Sequence, residues 1–143
     1  MQELGDKSGM SKSLHQLGWL AQDTGQYDEA RELHQQSLKI NQELGDKSGV
    51  SGSLHQLGMM AQEAGEHEEA RKLYQQSLKI KQEQGDKNGL ALSQAQLALL
   101  EEQMGNVKEA LRLIRLAEAA FLELGSPYWQ QAQEERERLE KNQ

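Results

Sequence analysis

The chain has no cysteine, a single proline and very few aromatic residues. Without cysteine it can form neither a disulfide nor a thiolate metal site, and this absence is typical of proteins in a reducing compartment. Aromatic residues make up 4% and hydrophobic residues 36% of its 143 residues, which makes a single thick core hard to build. A thin core, one layer deep between stacked repeats, needs much less apolar volume.

Long apolar runs and an excess of positive charge are also missing. No stretch approaches the roughly 18 apolar residues of a transmembrane helix, and the N-terminus lacks the basic start and apolar segment of a signal peptide. The formal net charge is -7, whereas nucleic acids and anionic membranes attract basic surfaces. We therefore expect a soluble, cytoplasmic protein that binds neither nucleic acid nor membrane.

An internal repeat of 40 residues dominates the sequence. Residues 2–41 and 42–81 match at about 28 of 40 positions, and a more diverged third copy begins at residue 82. Periods of about 20 to 50 residues are typical of solenoids and related repeat arrays. The polar composition alone would suit a disordered chain, but the regular apolar spacing within each copy argues against disorder.

Each repeat has the pattern of two helices separated by a turn. Met10, Leu14 and Leu17 share one helical face. Gly25 predicts a break, because glycine adopts the left-handed conformation at a helix end at little cost, and Asp46 is suited to cap the next helix. The glycines would interrupt the heptads of a long coiled coil. The sequence therefore predicts no strands and antiparallel helical hairpins near residues 7–44, 47–84 and 87–124.

Small residues recur at fixed places in these predicted hairpins. Gly18 and Gly58 lie in the middle of a helix, where glycine costs about 1 kcal/mol relative to alanine. Such a cost is understandable where the partner helix must come close. We expect close helix contacts at these glycines and at Ala30, Ala70 and Ala110.

The order of these residues resembles the tetratricopeptide repeat (TPR) pattern. In the first repeat the pattern consists of Leu14, Leu17-Gly18, Ala21, Gly25, Tyr27, Ala30 and His34. The second repeat keeps it, and the third departs from it at Gln94 and Glu101. The terminal proline of the usual unit is absent and the second helix is longer. In this respect the chain resembles the 40-residue subclass found in Leu-Gly-Asn-type adaptors and bacterial TPR regulators.

The resemblance implies an all-α fold and a single TPR domain over residues 1–143. This domain would be an α-solenoid, or α-α superhelix, of three TPR helical hairpins plus a C-terminal capping helix. The expected repeats are residues 2–41, 42–81 and 82–124, and the capping helix, with Ser126 as its cap, covers about residues 126–141. The chain also resembles the C-terminal sensor or scaffold part of larger bacterial regulators. Its uncapped first helix raises the hypothesis that further repeats precede it.

The sequence contains no recognisable catalytic or cofactor site. The segment around Asp46 lacks the spacing of a phosphate-binding loop, and no strand precedes it. His15 and His55 lie 40 residues apart on successive hairpins, where a metal ion would lack its third and fourth ligands. No serine lies in a nucleophile elbow, and carboxylates alternate with lysine and arginine on helix faces. We therefore expect no enzymatic activity, no cofactor and no metal.

The resemblance also implies where a partner would bind. In TPR arrays the inward face of each hairpin's first helix lines a concave groove. The matching residues are Lys12, His15, Trp19, Gln22 and Asp23 in the first repeat, Gly52, His55, Met59, Gln62 and Glu63 in the second, and Leu92, Ala95, Leu99, Glu102 and Gln103 in the third. Trp19, Met59 and Leu99 form an apolar stripe beside amides and carboxylates. This surface suits a protein or peptide ligand with apolar anchors and a few basic residues, as an amphipathic helix or an extended peptide.

Two functions remain open at this point. The chain is either a protein-binding module or a structural, self-assembling solenoid that homo-oligomerises through its uncapped N-terminal hairpin. Met10, Leu17 and Leu20 are the candidates for the uncovered outer side of the first helix. Met60 and Leu100 match Leu20 in later repeats and are expected to be covered by the preceding repeat. Since uncovered apolar surface tends to be buried by association, we expect a weak homodimer.

Overall fold

The computed structural model describes the backbone of residues 2–143 and the side chains of residues 6–143. Within this part of the chain there are seven α-helices and no strand, as the sequence predicts. The helices are α1 (Gln2–Asp23), α2 (Tyr27–Leu44), α3 (Lys47–Glu63), α4 (His67–Gln84), α5 (Lys87–Gln103), α6 (Val107–Leu124) and α7 (Trp129–Lys141). The first six therefore form the three expected hairpins, and α7 follows the last of them.

Glycines in the left-handed conformation end the helices at regular intervals. Gly25 has a φ of 79° and Gly45 a φ of 68°. At the second of these turns, the N–H of Gly45 donates to the carbonyl of Gln42, and the next N–H donates to the carbonyl of Asn41. These bonds satisfy carbonyls that a helix end leaves unpaired. The same conformation recurs at Gly65, Gly85, Gly105 and Gly125, so the 40-residue period holds two helices.

Aspartates begin the first helices of the second and third hairpins. The Oδ1 atom of Asp46 accepts a hydrogen bond from the N–H of Gly49 at 3.0 Å. Asp86 accepts the equivalent bond from Gly89 at 2.9 Å. A side-chain oxygen in this position satisfies one of the unpaired N–H groups of the first helical turn. The capping role predicted for Asp46 is therefore confirmed, and the third repeat uses it again.

The two ends of the chain differ from the sequence-based expectation. Helix α1 begins at Gln2 rather than near residue 7, because the helix continues through Gly5. Glycine permits a break but does not require one. Residue 1 and the side chains of residues 2–5, in the predicted stub of a preceding helix, lie outside the described residues. Helix α7 begins at Trp129, and Ser126 is not its cap. Instead, the Ser126 hydroxyl accepts a hydrogen bond from the N–H of Tyr128 at 3.2 Å, within the preceding turn.

The chain divides into two compact units, Met1–Leu73 and Tyr74–Gln143, with the division inside α4. In the first unit, Ala21, Ala30 and Met60 form a buried cluster with Leu33 packed against it. The core of the second unit is made by α5, α6 and α7. Its buried side chains include Leu97, Leu100, Leu111, Ile114, Phe121, Ala132 and Leu139.

The small residues lie where the helices approach each other, as predicted. Ala30, Ala70 and Ala110 are all 0% exposed. A Cβ atom added to Gly18 would lie 2.7 Å from the Cε1 atom of His34, which is closer than real Cβ contacts come. Glycine at position 18 therefore lets α1 approach the imidazole that α2 places against it.

Candidate functional site

A polar cavity of about 400 Å³ lies in the first unit, where α1, α2 and α3 meet. Three predicted groove residues, Lys12, His15 and Gly52, line it. The other lining residues are Ser11, Gln16, Ser37, Asn41, Asp46, Ser48, Gly49 and Ser53. Groove residues predicted in two separate repeats, Lys12 and His15 in the first and Gly52 in the second, therefore line the same cavity.

Buried hydroxyls and one amide fix the floor of this polar cavity. The Ser11 hydroxyl donates to Oδ1 of Asn41 at 2.6 Å and lies 2.9 Å from the Ser37 hydroxyl. The Ser37 hydroxyl donates to the carbonyl of Ser11 at 3.1 Å, and Nδ2 of Asn41 donates to the Ser53 hydroxyl at 3.4 Å. Because these groups bond to one another across three helices, they hold the helices together. Lys12 and Gln16 are exposed and present the polar groups at the rim.

Three aromatic rings pack edge to face in the first unit. The ring centroids of His15 and His34 are 5.0 Å apart, and those of Trp19 and His34 are 6.3 Å apart. The indole N–H of Trp19 donates to Nε2 of His15 at 3.0 Å, so a neutral His15 carries its proton on Nδ1. Trp19 remains 42% exposed, and it offers solvent an apolar surface on the helix that lines the polar cavity.

Both histidines of this cluster are poor bases. Burial lowers the pKa of His34 to about 4, with a smaller contribution from repulsion by His15. Burial also lowers the pKa of His15. The Nδ1 atom of His34 has no hydrogen-bond partner among the described residues. Both rings are therefore neutral at pH 7, and the exposed part of the cluster, mainly Trp19, is an uncharged surface.

Gln22 was predicted to face the groove, but its side chain contacts other residues of the first unit instead. Its Oε1 atom accepts a hydrogen bond from Nε2 of Gln56 at 2.8 Å and lies 3.3 Å from Nε2 of His34. Gln56 itself is only 4% exposed. The amide of Gln22 therefore links α1 to α2 and α3. Of the remaining predicted groove residues in this unit, Asp23 and Glu63 are exposed and His55, Met59 and Gln62 are half-buried.

A second cavity, of about 360 Å³ and mainly apolar, lies in the second unit between α5, α6 and α7. The predicted groove residues Leu92, Ala95 and Leu99 form its α5 wall. The remaining apolar lining comes from Ile114, Phe121, Tyr128 and Ala132. Leu92 is 38% and Tyr128 44% exposed, so a ligand can reach this apolar surface from solvent.

Amides and carboxylates border the apolar cavity. Gln96 of α5 and Gln131, Glu134 and Glu135 on α7 complete its lining. Arg138 binds the Glu135 carboxylate at 2.5 Å, which partly compensates that charge. The cavity therefore combines an apolar floor with a polar, acidic border, which is the surface character expected of a site for an amphipathic ligand.

Glu102, another predicted groove residue, is engaged by α7. Arg138 binds both oxygens of its carboxylate, with the Nη2 atom of Arg138 2.7 Å from Oε1 of Glu102. The hydrogen bond from Arg138 lowers the pKa of Glu102. Glu102 therefore ties α7 to the end of α5 instead of standing open to a cationic ligand. Gln103 is exposed.

Several lining residues were missed from the sequence. Tyr128 precedes α7 and was not predicted, because the expected groove contained residues only from the first helix of each hairpin. The Ser126-Pro127 turn, directly before the aromatic residues Tyr128 and Trp129, could have indicated it. A glutamine also recurs at positions 16, 56 and 96, and its first and last copies line the two cavities.

Among the described residues, no helix combines the length and the apolar character needed to cross a membrane. In the same part of the chain, no group of three or more histidine, aspartate or glutamate side chains could hold a metal ion.

Family comparisons identify the repeats. Two family models, both described as tetratricopeptide repeat, match residues 50–123 and residues 11–46. The first of these matches alone covers more than half of the chain. No curated protein matches the chain by sequence.

Known structures share the fold over most of the chain. The apo form of RapI has a TM-score of 0.90 at 15% identity over 96% of this chain and 38% of RapI. A kinesin-light-chain-type protein of Podosopora anserina with nearly identical TPR-like repeats has a TM-score of 0.76 at 27% identity, covering 90% of this chain and 64% of that protein. The Yersinia enterocolitica type III secretion translocator chaperone SycD has a TM-score of 0.73 at 18% identity, covering 94% of this chain and 86% of SycD. This chain therefore covers less than two thirds of the length of RapI and of the Podosopora anserina protein.

The helices, the family matches and the structural relatives agree on an all-α, helical-hairpin solenoid fold. The first and second repeats carry the strongest form of the motif, and residues 50–81 of the second lie within the longer family match. Repeats of this kind generally form non-catalytic scaffolds for protein–protein interaction. The chain belongs to the tetratricopeptide repeat family.

Proposed function

We propose that this chain is a protein-interaction module that binds a peptide or a partner helix on the first-helix face of its hairpins. The observation that carries the proposal is the apolar cavity of the second unit. Leu92, Ala95 and Leu99, three residues predicted to face a ligand, line it together. An accessible apolar floor beside polar groups supplies both anchoring and orientation for a peptide.

The size and border of the apolar cavity define the ligand. At about 360 Å³ it lies near the lower end of ligand pockets, and it suits one or two large apolar side chains rather than a large cofactor. The amide of Gln131 borders the cavity and can hydrogen-bond a peptide, and Glu134 favours a lysine or arginine near the anchor. The ligand is therefore an amphipathic segment with an apolar anchor and a neighbouring basic residue.

The first unit offers a contact surface of different character. Lys12 and Gln16 stand at the rim of the polar cavity, and the exposed part of Trp19 lies one turn further along α1. This combination suits a ligand segment with a polar or acidic residue beside an aromatic or aliphatic one.

Structural relatives support an interaction role in general terms. SycD is a chaperone of a type III secretion translocator, and its fold covers 94% of this chain. At 18% identity this likeness concerns the fold alone. The cytoplasmic location and the larger bacterial regulator both stay predictions from the sequence, as does the 40-residue subclass of the family.

The proposal is tested with peptides selected from a displayed library of short sequences against the unaltered chain. The affinity of each selected peptide is then measured by fluorescence anisotropy. Leu92→Glu places a charge at the mouth of the apolar cavity, and we expect it to weaken binding by about tenfold or more, or roughly 1.4 kcal/mol.

The matched control is Leu122→Glu on α6. Leu122 is 60% exposed and does not line the cavity, so this variant is expected to bind like the unaltered chain. Circular dichroism checks that both variants keep their helices. A selection that yields no binding peptide, or peptides that bind Leu92→Glu undiminished, would contradict the proposal.

A further inference from the structure

Three carboxylates stand at one border of the apolar cavity. Glu134 and Glu135 of α7 line the cavity, and none of the described residues in that lining is a lysine or an arginine. Glu102 lies one turn beyond Leu99 on α5, and it shares a binding partner with Glu135. The charge of this border is therefore set by how these carboxylates are compensated from outside the lining.

Arg138 of α7 holds two of the three carboxylates at once. Its guanidinium binds both oxygens of Glu102, and its Nη2 atom lies 2.7 Å from Oε1 of Glu102 and 2.5 Å from Oε2 of Glu135. A planar guanidinium has several donors in a fixed arrangement, which lets it bind two carboxylates together. Hydrogen bonding between them raises the pKa of Arg138 and lowers the pKa of Glu102, so both groups are charged at neutral pH.

Glu134 differs from the other two carboxylates. It is exposed, and in the part of the chain that the structure describes no lysine or arginine forms an ion pair with it. Because Arg138 is shared by Glu102 and Glu135, Glu134 is the carboxylate that offers its full charge to a ligand. A single cationic group beside an apolar anchor therefore matches this border better than a cluster of cationic groups.

Helix α7 has other attachments besides Arg138. It packs on α6 and buries Ala132 and Leu139. Arg136 binds the Glu118 carboxylate of α6, with Nε 2.5 Å from Oε2, and the two side chains are only 25% and 16% exposed. The wall that α7 contributes to the cavity is therefore expected to stay in place when Arg138 is replaced.

We propose that Arg138 sets the charge selectivity of the apolar cavity, by occupying two carboxylates that a cationic ligand would otherwise meet. The inference rests on the proposed function, because it concerns the same cavity and specifies its ligand as an apolar anchor with one neighbouring basic group. Arg138 lies outside the cavity lining, so it acts through Glu102 and Glu135 as a positioning residue. A second basic group on the ligand would meet compensated carboxylates and the positive charge of Arg138 itself.

Two small probes measure this selectivity without a known ligand. Protonated n-hexylamine and n-hexanol share the same apolar chain and differ in charge at one end. Each is titrated into the full chain, and the methyl NMR signals of Leu92 and Leu99 report its binding in the cavity. The ratio of the two dissociation constants gives the preference of the cavity for a cationic ligand over a neutral one.

Two variants break the same ion pair but change the charge of the border in opposite directions. Arg138→Gln releases both carboxylates, so we expect it to raise the preference for hexylamine by about two- to fivefold, the range of an exposed ion pair. Glu102→Gln removes one carboxylate and leaves Arg138 to Glu135 alone, so the preference is expected to fall by a similar factor. If the ion pair served only to hold α7 in place, both variants would change the preference in the same direction.

The matched control is Arg112→Gln on α6. Arg112 also binds a glutamate, Glu109, but neither residue lines the cavity, so this variant is expected to keep the preference of the unaltered chain. Salt at about 1 M, where the screening length is only about 3 Å, is expected to reduce the differences between the variants.

The outcomes separate this inference from the proposed function. A preference that shifts in the same direction in Arg138→Gln and Glu102→Gln, or that stays unchanged in both, would overturn the role of Arg138 and leave the cavity as a binding site. If neither probe moved the signals of Leu92 and Leu99, the proposed function itself would be contradicted, and this inference with it.

Discussion

At the scale of single residues, the first two repeats differ at a position that is fully buried in both. His34 in the first repeat corresponds to Tyr74 in the second, and both are 0% exposed. Burial disfavours the charged imidazolium, and the pKa of His34 falls to about 4. Histidine in an unfolded chain titrates near pH 6.5, so between these two values the unfolded chain binds more protons than the folded one.

Stability should therefore fall as the pH decreases from about 6.5 toward 4. We expect a loss of roughly 1–3 kcal/mol over this window from His34, and no contribution above about pH 7 where both states are neutral. His34→Tyr, which copies the second repeat, should remove most of this loss. Urea denaturation at both ends of the window measures it, with His67→Gln as the control. An equal pH dependence in His34→Tyr and the unaltered chain would show that His34 is not the responsible group.

At the scale of helices, the packing of α1 on α2 depends on the absence of a side chain at position 18. An added Cβ atom would lie between 2.7 and 3.0 Å from three ring atoms of His34. His34 is fully buried beneath His15 and Trp19, so its ring has little room to move. By contrast, Gly52 on α3 has no atom within 4 Å of such a Cβ.

Two glycine substitutions should consequently have opposite effects. Gly52→Ala is expected to stabilise the chain by about 0.5–1 kcal/mol, because alanine favours helix more than glycine does. Gly18→Ala gains the same preference but overpacks the contact with His34 by roughly 1–3 kcal/mol, so its net effect is neutral to destabilising. Thermal denaturation of both variants measures the difference. Equal stabilisation by the two substitutions would mean that the His34 ring and α2 can move away from the added methyl group at little cost in free energy.

The ends of most helices could be predicted because they depend on local chemistry. Gly25 and Asp46 act through backbone conformation and hydrogen bonds within a few residues, and the structure confirms both. The start of α1 could not be predicted in this way. Gly5 resembles Gly45 in sequence, yet a glycine only permits a turn, and the helix continues through it.

The candidate site was partly predictable for a related reason. Leu92 and Leu99 follow from their position in the repeat, which fixes the helix face. The engagement of Gln22 by Gln56 and of Glu102 by Arg138 joins residues 34 and 36 positions apart. Such side-chain pairings depend on tertiary packing, which a single sequence does not reveal.

At the scale of the whole molecule, the chain consists of two compact units, each with its own surface. The first unit carries the polar cavity, and the second carries the apolar cavity.

Leucine methyl NMR can show whether the apolar cavity of the second unit receives the peptide. A selected peptide is titrated into the unaltered chain. Large shifts are expected for the methyl groups of Leu92 and Leu99, and little change is expected for the exposed Leu116 and Leu122 of α6. Shifts confined to Leu116 and Leu122, with Leu92 and Leu99 unmoved, would contradict the proposed binding site.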